Sequence, residues 1–193
     1  MPSPVGHLVA GVAIAWTAEA LASTTRRTPR PGGEIALAPV ATPLVLACAA
    51  LALAPDLDIL MASHRTWTHS LGAVVLAGGA AAAVARARHL PVVLTALACA
   101  AALGSHVLLD WLGHDGTAPI GLMALWPFGH AYVYSGIDLF ADVSRRYWKP
   151  EEFFLGNARS IARELLILTP LALAALFLRR WVGRPRIPSP ESR

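Results

Sequence analysis

The feature that most limits what this chain can become is a series of long apolar runs separated by polar stretches. Ala36–Ala54 holds nineteen residues without a charge, and Val5–Ala22, Leu71–Ala85, Pro91–Leu112 and Leu165–Trp181 are nearly as uniform. Roughly eighteen or more consecutive apolar residues suffice for a helix to cross the ~30 Å hydrocarbon core of a bilayer. Composition agrees, with 15% charged residues and a mean hydropathy of +0.53, where soluble domains carry about 25% charged residues. The expected fold is all-α: a polytopic helical membrane protein of about five apolar helices. One domain covers 1–181, with 113–163 as an extramembrane cap holding one or two short interfacial helices, and 182–193 is a disordered basic tail. The first run carries Glu19 and is the weakest candidate for a full span, half buried in a bundle. It lacks the basic start of a secretory signal and reads as mature structure.

Net charge is +4, and its placement excludes a nucleic-acid surface, because the arginines cluster beside the apolar runs. If each run crosses once, one set of loops holds Arg26, Arg27, Arg30, Arg86, Arg88, Arg179, Arg180, Arg184, Arg186 and Arg193, ten of the sixteen basic residues. The other set holds Arg65, Arg145, Arg146, Lys149, Arg159 and Arg163 in much longer segments. Basic density in short loops marks the cytoplasmic side. The tail is then cytoplasmic, and the opposite loops face outward from the cell. Cys48 and Cys99 lie inside apolar runs and read as small buried hydrophobes rather than thiolate ligands.

The same topology brings the chain's ligand-type residues to the outer face. His7 opens the first run, Asp56 and Asp58 stand in a PDLD turn, His64 and His69 flank HRTWTHS, and His106 and Asp110 close the fourth run. His106 and Asp110 are spaced i, i+4 and share one helix face, which suits either paired ligands or a His–Asp hydrogen bond between helices. Asp56 and Asp58 suit a hard cation, or a helix cap and solvated charge. Thr68 or Ser70 can cap the helix that starts near Leu71, leaving His69 at a positive helix end that favours a neutral imidazole. His114 and Asp115 suit substrate contacts or a solvated turn, and Trp126-Pro127-Phe128 an interfacial aromatic anchor. His89 and His130 fall outside the constellation. A nitrogen and oxygen donor set favours zinc, manganese or another first-row divalent ion, one or two in number.

These motifs, in the order GH, PDLD, HRTWTHS and GSHVLLDWLGHDGTAPIGLMALWPF, resemble the YdjM/YbcI-like inner-membrane metal-dependent hydrolases. The resemblance covers roughly residues 5–130. It implies a helical membrane hydrolase with His7, Asp56, Asp58, His64, His69, His106 and Asp110 at a metal site. The family is distantly similar to zinc-dependent phospholipase C and P1-type nucleases, a likeness of fold that only leans toward phosphoesters. The stretch after Asp110, WLGHDGTAPIG, is more polar here than the family's usual Thr-Gly pattern.

The resulting expectation is hydrolysis of an ester or phosphoester at the membrane surface, with lipids or a lipid-derived small molecule as partner. Asp56, His69, His106 and Asp110 are the core ligands, and His7, Asp58 and His64 complete a second site or orient the first. Asp58 is the candidate base and Arg65 the candidate transition-state cation. A non-catalytic membrane protein with a structural or partner-docking metal is one alternative. A cation transporter is another, disfavoured because the ionisable groups sit at the ends of the runs.

Overall fold

The protein's structure, a computed structural model, describes residues 1–25, 39–61 and 64–183. The expected loop arginines Arg26, Arg27 and Arg30 and the tail from residue 184 lie outside them. The described residues form five long helices and no strand, with only isolated bridges joining Gly113 to Phe140 and Leu122 to Val133.

Helix α1 runs Pro4–Thr25. Pro4 occupies its first position, where a missing N–H costs nothing, and Ser3 Oγ accepts from Gly6 N at 3.4 Å. Helix α2 runs Pro43–Leu53 and continues as a 3₁₀ helix, Ala54–Met61. It starts later than the apolar run because Thr42 caps it, accepting from Val45 N at 3.2 Å. The PDLD stretch is thus a tightened continuation of α2 rather than a loose connection.

Helix α3, Leu71–Ala87, is capped by Ser70, whose Oγ accepts from Ala73 N at 3.1 Å. Helix α4 spans Val92–Leu112. Helix α5 spans Asn157–Val182 and is extended backward by a π turn, Glu152–Gly156. The expected separate interfacial helices are not found among the described residues. The polar residues after Glu152 form the first turns of α5 instead, because Ser160 and Glu164 are buried against other parts of the chain.

Four stretches are long and apolar enough to cross a membrane: Pro4–Thr24, Pro43–Leu60, Val92–Leu112 and Glu152–Val182. The short element is α3, not α1. Its 17 residues rise only about 25 Å at the helical rise of ~1.5 Å per residue. Glu19, which weakened α1 as a span in the sequence, is matched inside the bundle. Arg179 Nε lies 2.6 Å from its carboxylate, and Thr42 donates to it at 2.5 Å.

Helix α1 packs against α2, α4 and α5, and α3 packs against α4. Small residues permit the closest approaches, as they do between helices in lipid. A Cβ on Gly11 would lie 2.7 Å from Ala52 Cβ, and one on Gly78 would lie 3.1 Å from Ala100 Cβ. Cys48 and Cys99 are free thiols inside the core formed by α1, α2, α4 and α5. Polar contacts mark both ends of the bundle. Glu19, Thr42 and Arg179 meet at one, and the histidines meet at the other.

Candidate metal centre

Each chain segment delivers its ligand-type residue to the same end because successive helices alternate in direction. His7 enters from the first turn of α1. Asp56 and Asp58 come from the 3₁₀ extension of α2, His69 from the residue before the α3 cap, and His106 and Asp110 from the last turns of α4. His7, His69 and His106 are fully buried, and Asp58 and Asp110 nearly so.

Asp110 is the hub. Its Oδ1 lies 3.4 Å from His7 Nε2, and its Oδ2 lies 3.3 Å from His69 Nε2 and 3.2 Å from His106 Nε2. The His7 and His106 rings stack with centroids 3.8 Å apart, and His69 meets His106 edge-on at 4.8 Å. Asp56 stands at the rim, its side chain 26% exposed, with Oδ1 3.9 Å from His106 Nε2 and 4.0 Å from His69 Nε2.

The opposite ring nitrogens are held by the chain. His106 Nδ1 bonds Ala52 O at 2.8 Å, and His69 Nδ1 lies 3.2 Å from Asp58 Oδ2. A histidine that donates through Nδ1 keeps its Nε2 lone pair for a metal, and ligating histidines are oriented in this way. Burial opposes a charged His69, but the Asp110 and Asp58 carboxylates beside it overcome that and push its pKa up to about 9.

The fit to a cation can be tested on the buried atoms themselves. His69 Nε2, His106 Nε2, both nitrogens of His7 and both oxygens of Asp110 are buried without any hydrogen-bond partner. Buried polar groups are almost always bonded, so this concentration of unsatisfied nitrogen and carboxylate lone pairs at one point is what a cation would resolve. His7, His106 and Asp110 bring ligand atoms within 4.8 Å of one another, and so do Asp56, His64 and His69. The residues fit a divalent ion.

Asp58 is engaged elsewhere. It takes bonds from His64 Nδ1 at 2.6 Å, Thr68 Oγ1 at 2.5 Å and Arg65 N at 3.2 Å, besides facing His69 Nδ1. The chain thereby occupies both of its oxygens, and its visible task is to hold His69. His64 is likewise held on both sides, by Asp58 and by Arg145 Nη2 at 3.2 Å from Nε2. Ser70, not Thr68, caps α3, which frees Thr68 for Asp58.

The Arg65 guanidinium turns away from the ligand cluster. It is paired with Asp115 and donates to Thr117 O at 3.0 Å. Asp115 also accepts from Gly121 N at 2.6 Å, so this pair ties the HRTWTHS loop to the 115–121 turn. His114 pairs with Asp138 at 3.0 Å in an exposed position. His89 and His130 are exposed and take no part in the cluster.

Two residues escaped sequence reasoning. Glu164 is fully buried and accepts from the Ser3 backbone at 2.7 Å and from the Ser3 hydroxyl. Its signal was a carboxylate beside the last apolar run, and the sequence alone could not name its partner. Arg145 reaches His64 across 81 residues of chain, a separation no local pattern reveals.

Three buried imidazoles and two carboxylates at one end of an apolar helical bundle define a helical membrane protein with a candidate metal centre. The chain belongs to the YdjM inner membrane protein family, whose family model matches residues 1–184. Searches of the curated proteins and of the solved structures returned no match.

Proposed function

We propose that this protein is a multi-pass, membrane-embedded, metal-dependent hydrolase of an ester or phosphoester. The supporting observation is the convergence of the His7, His69, His106 and Asp110 atoms that lack hydrogen-bond partners in a buried cluster whose rim is Asp56. Those four residues supply the three nitrogens and the carboxylate that a zinc-type site uses. The second set, Asp56, His64 and His69, is less free to bind, because Asp58 and Arg145 hold His64. One ion per chain follows.

A divalent ion held here with a further coordination position open to solvent would polarise the scissile ester and lower the pKa of a water molecule. Asp56 is the carboxylate at the rim with a solvent-facing edge, placed to take up a proton from a water that the ion would activate. Asp58 keeps His69 in the tautomer that presents Nε2. Arg145, exposed beside His64, offers a cation to an anionic substrate; Arg65 serves as a strut. Loop charge supports placing the site on the outer face and the basic tail in the cytoplasm.

A second reading has its own support. The four ligands come from three separate parts of the chain, α1, the turn before α3 and α4, so an ion there would also staple the bundle.

Metal analysis of detergent-purified protein tests the centre. Wild type should carry about one zinc per chain, as a four-ligand site holds, and His69→Ala with Asp110→Ala should carry none. Unchanged metal in that double variant would sink the proposal. Asp56→Asn should then keep the metal and lose turnover in a screen of soluble phosphomonoesters, phosphodiesters and carboxylesters. A metal-loaded wild type inert to all three classes would leave only the stapling role.

A further inference from the structure

An apolar groove of about 540 Å³ lies beside the candidate centre, between the first two turns of α3 and the 125–129 segment. Leu71, Val75 and Leu76 form one wall, and Trp126, Pro127 and Phe128 the other. We propose that this groove holds the hydrocarbon tail of a membrane-resident phosphoester while its head reaches the metal centre. The proposal rests on the hydrolase reading above and names its substrate class.

Three observations carry it. First, the groove adjoins the segment that carries the candidate ligand His69. Its helix wall begins at Leu71, two residues after His69. Its other wall meets Trp67, two residues before His69, through Trp126 at a ring distance of 6.3 Å.

Second, the groove is preformed. The first N–H groups of a helix have no partner within the helix. Here Leu71 N donates to Ala124 O at 2.8 Å and Gly72 N to Trp126 O at 3.0 Å. The loop lies so close that a Cβ on Gly72 would fall 2.6 Å from Trp126 O. The wall therefore stands in place before any ligand arrives.

Third, the groove is continuous with a surface suited to lipid. Val75 is 73% exposed and Phe128 98% exposed, and Leu71 and Leu76 are more than half exposed. No charged side chain lines it. A peptide would leave its backbone polar groups unpaired in such a trough, whereas an alkyl chain has none. The volume lies within the range of about 300–1,000 Å³ typical of small-molecule sites. Exposed Arg145 beside His64 supplies the matching charge for the head group.

A tail moving from bilayer to groove exchanges one apolar surrounding for another, so the groove contributes register more than affinity. Misplacing a reacting group costs about a hundredfold in rate. Val75→Trp should therefore lower the ratio of kcat/KM for a dodecyl phosphodiester to that for bis(4-nitrophenyl) phosphate by about a hundredfold. Leu76→Trp should do the same from the next position.

Binding is read separately from catalysis, using zinc-loaded full-length protein and an alkyl phosphate with a diazirine in its tail. Photolysis should place adducts on α3 near Val75 and on the 125–129 segment. Excess dodecyl phosphate should suppress them, and dodecanol should not. Cleavage of the soluble diester with adducts elsewhere, or with adducts that dodecyl phosphate fails to suppress, overturns the groove and leaves the hydrolase reading standing. Suppressible groove adducts with neither a phosphoester nor a carboxylester cleaved support the tail site and overturn the hydrolase reading.

Discussion

Replacing Asp58 by Asn separates three roles that a carboxylate near a metal can play. In the structure Asp58 accepts from His64 on Oδ1, and from Thr68 and Arg65 N on Oδ2, which also faces His69 Nδ1. An Asn that sets its amide oxygen at the Oδ2 position keeps the last three contacts and loses the His64 bond. The bonds it keeps are weakened, because an ionised acceptor binds roughly twice as strongly as a neutral one. The hold on His69 is therefore loosened, not removed. Partners that orient metal-ligating histidines are worth about 10–100-fold in metal affinity, and retention of three contacts puts Asp58→Asn near the lower end, about tenfold. A tenfold loss corresponds to about 1.4 kcal/mol. Titration of detergent-purified protein against a zinc chelator of known affinity measures it. Asp58→Ala, which loses every contact, should fall toward a hundredfold. Complete loss of zinc in Asp58→Asn, equal to that in His69→Ala, would make Asp58 a ligand. Unchanged affinity with lost turnover would make it the base. Either result refutes the orienting role.

Metal uptake should release a proton, because His69 titrates at about 9 without metal and must be neutral to ligate. Zinc affinity should then fall about tenfold per unit as pH drops below that value, and a flat profile between pH 6.5 and 9 would refute it. The same raised pKa stabilises the metal-free fold fully below the ordinary value of 6.5, and that contribution is lost as pH rises through about 9, the usual linkage for a group whose pKa folding raises. Thermal unfolding of chelated protein across that window reads it. Gly11→Val should destabilise the bundle by about 1–3 kcal/mol, the usual cost of overpacking, since even a Cβ would lie 2.7 Å from Cys48 O. Accessible cysteines introduced at Arg88 and Ile137, in a background lacking Cys48 and Cys99, should label from opposite sides of the membrane. Labelling from one side would refute the alternating topology.

The ends of the runs were legible because local rules govern them. The i, i+4 pair His106–Asp110 had to share a helix face, and Ser70 sits where a cap belongs. Alternating spans then required the ligands of four segments to meet, which needs only an even count of crossings between them. Hidden from the sequence were contacts between distant parts of the chain. Asp58 and Asp56 are two residues apart and chemically identical, yet one is enclosed by four donors and the other faces the rim. Arg65 stands inside the densest motif, and its function as a strut depends on Asp115, fifty residues away. The start of α5 was misplaced for the same reason. Glu164 looks like the end of an apolar run until Ser3 supplies its partner.

Helices in lipid gain little from the hydrophobic effect when they associate, since the surrounding tails are as apolar as their side chains. Polar contacts then matter more to the register of the bundle. Here α1 and α5 are pinned at one end by Glu19 with Arg179, and at the other by Ser3 with Glu164. The candidate metal centre lies next to the second pin, where α1, α2, α3 and α4 also converge, and several of its buried atoms have no hydrogen-bond partner. An ion held there would stabilise the same end of the bundle that it would use for chemistry. The two roles separate by what each residue loses. In the proposed hydrolase, removing His7, His69, His106 or Asp110 should take away metal, stability and turnover together. Removing Asp56 at the rim should take away turnover alone, because a site that only staples the bundle has no use for a carboxylate facing water.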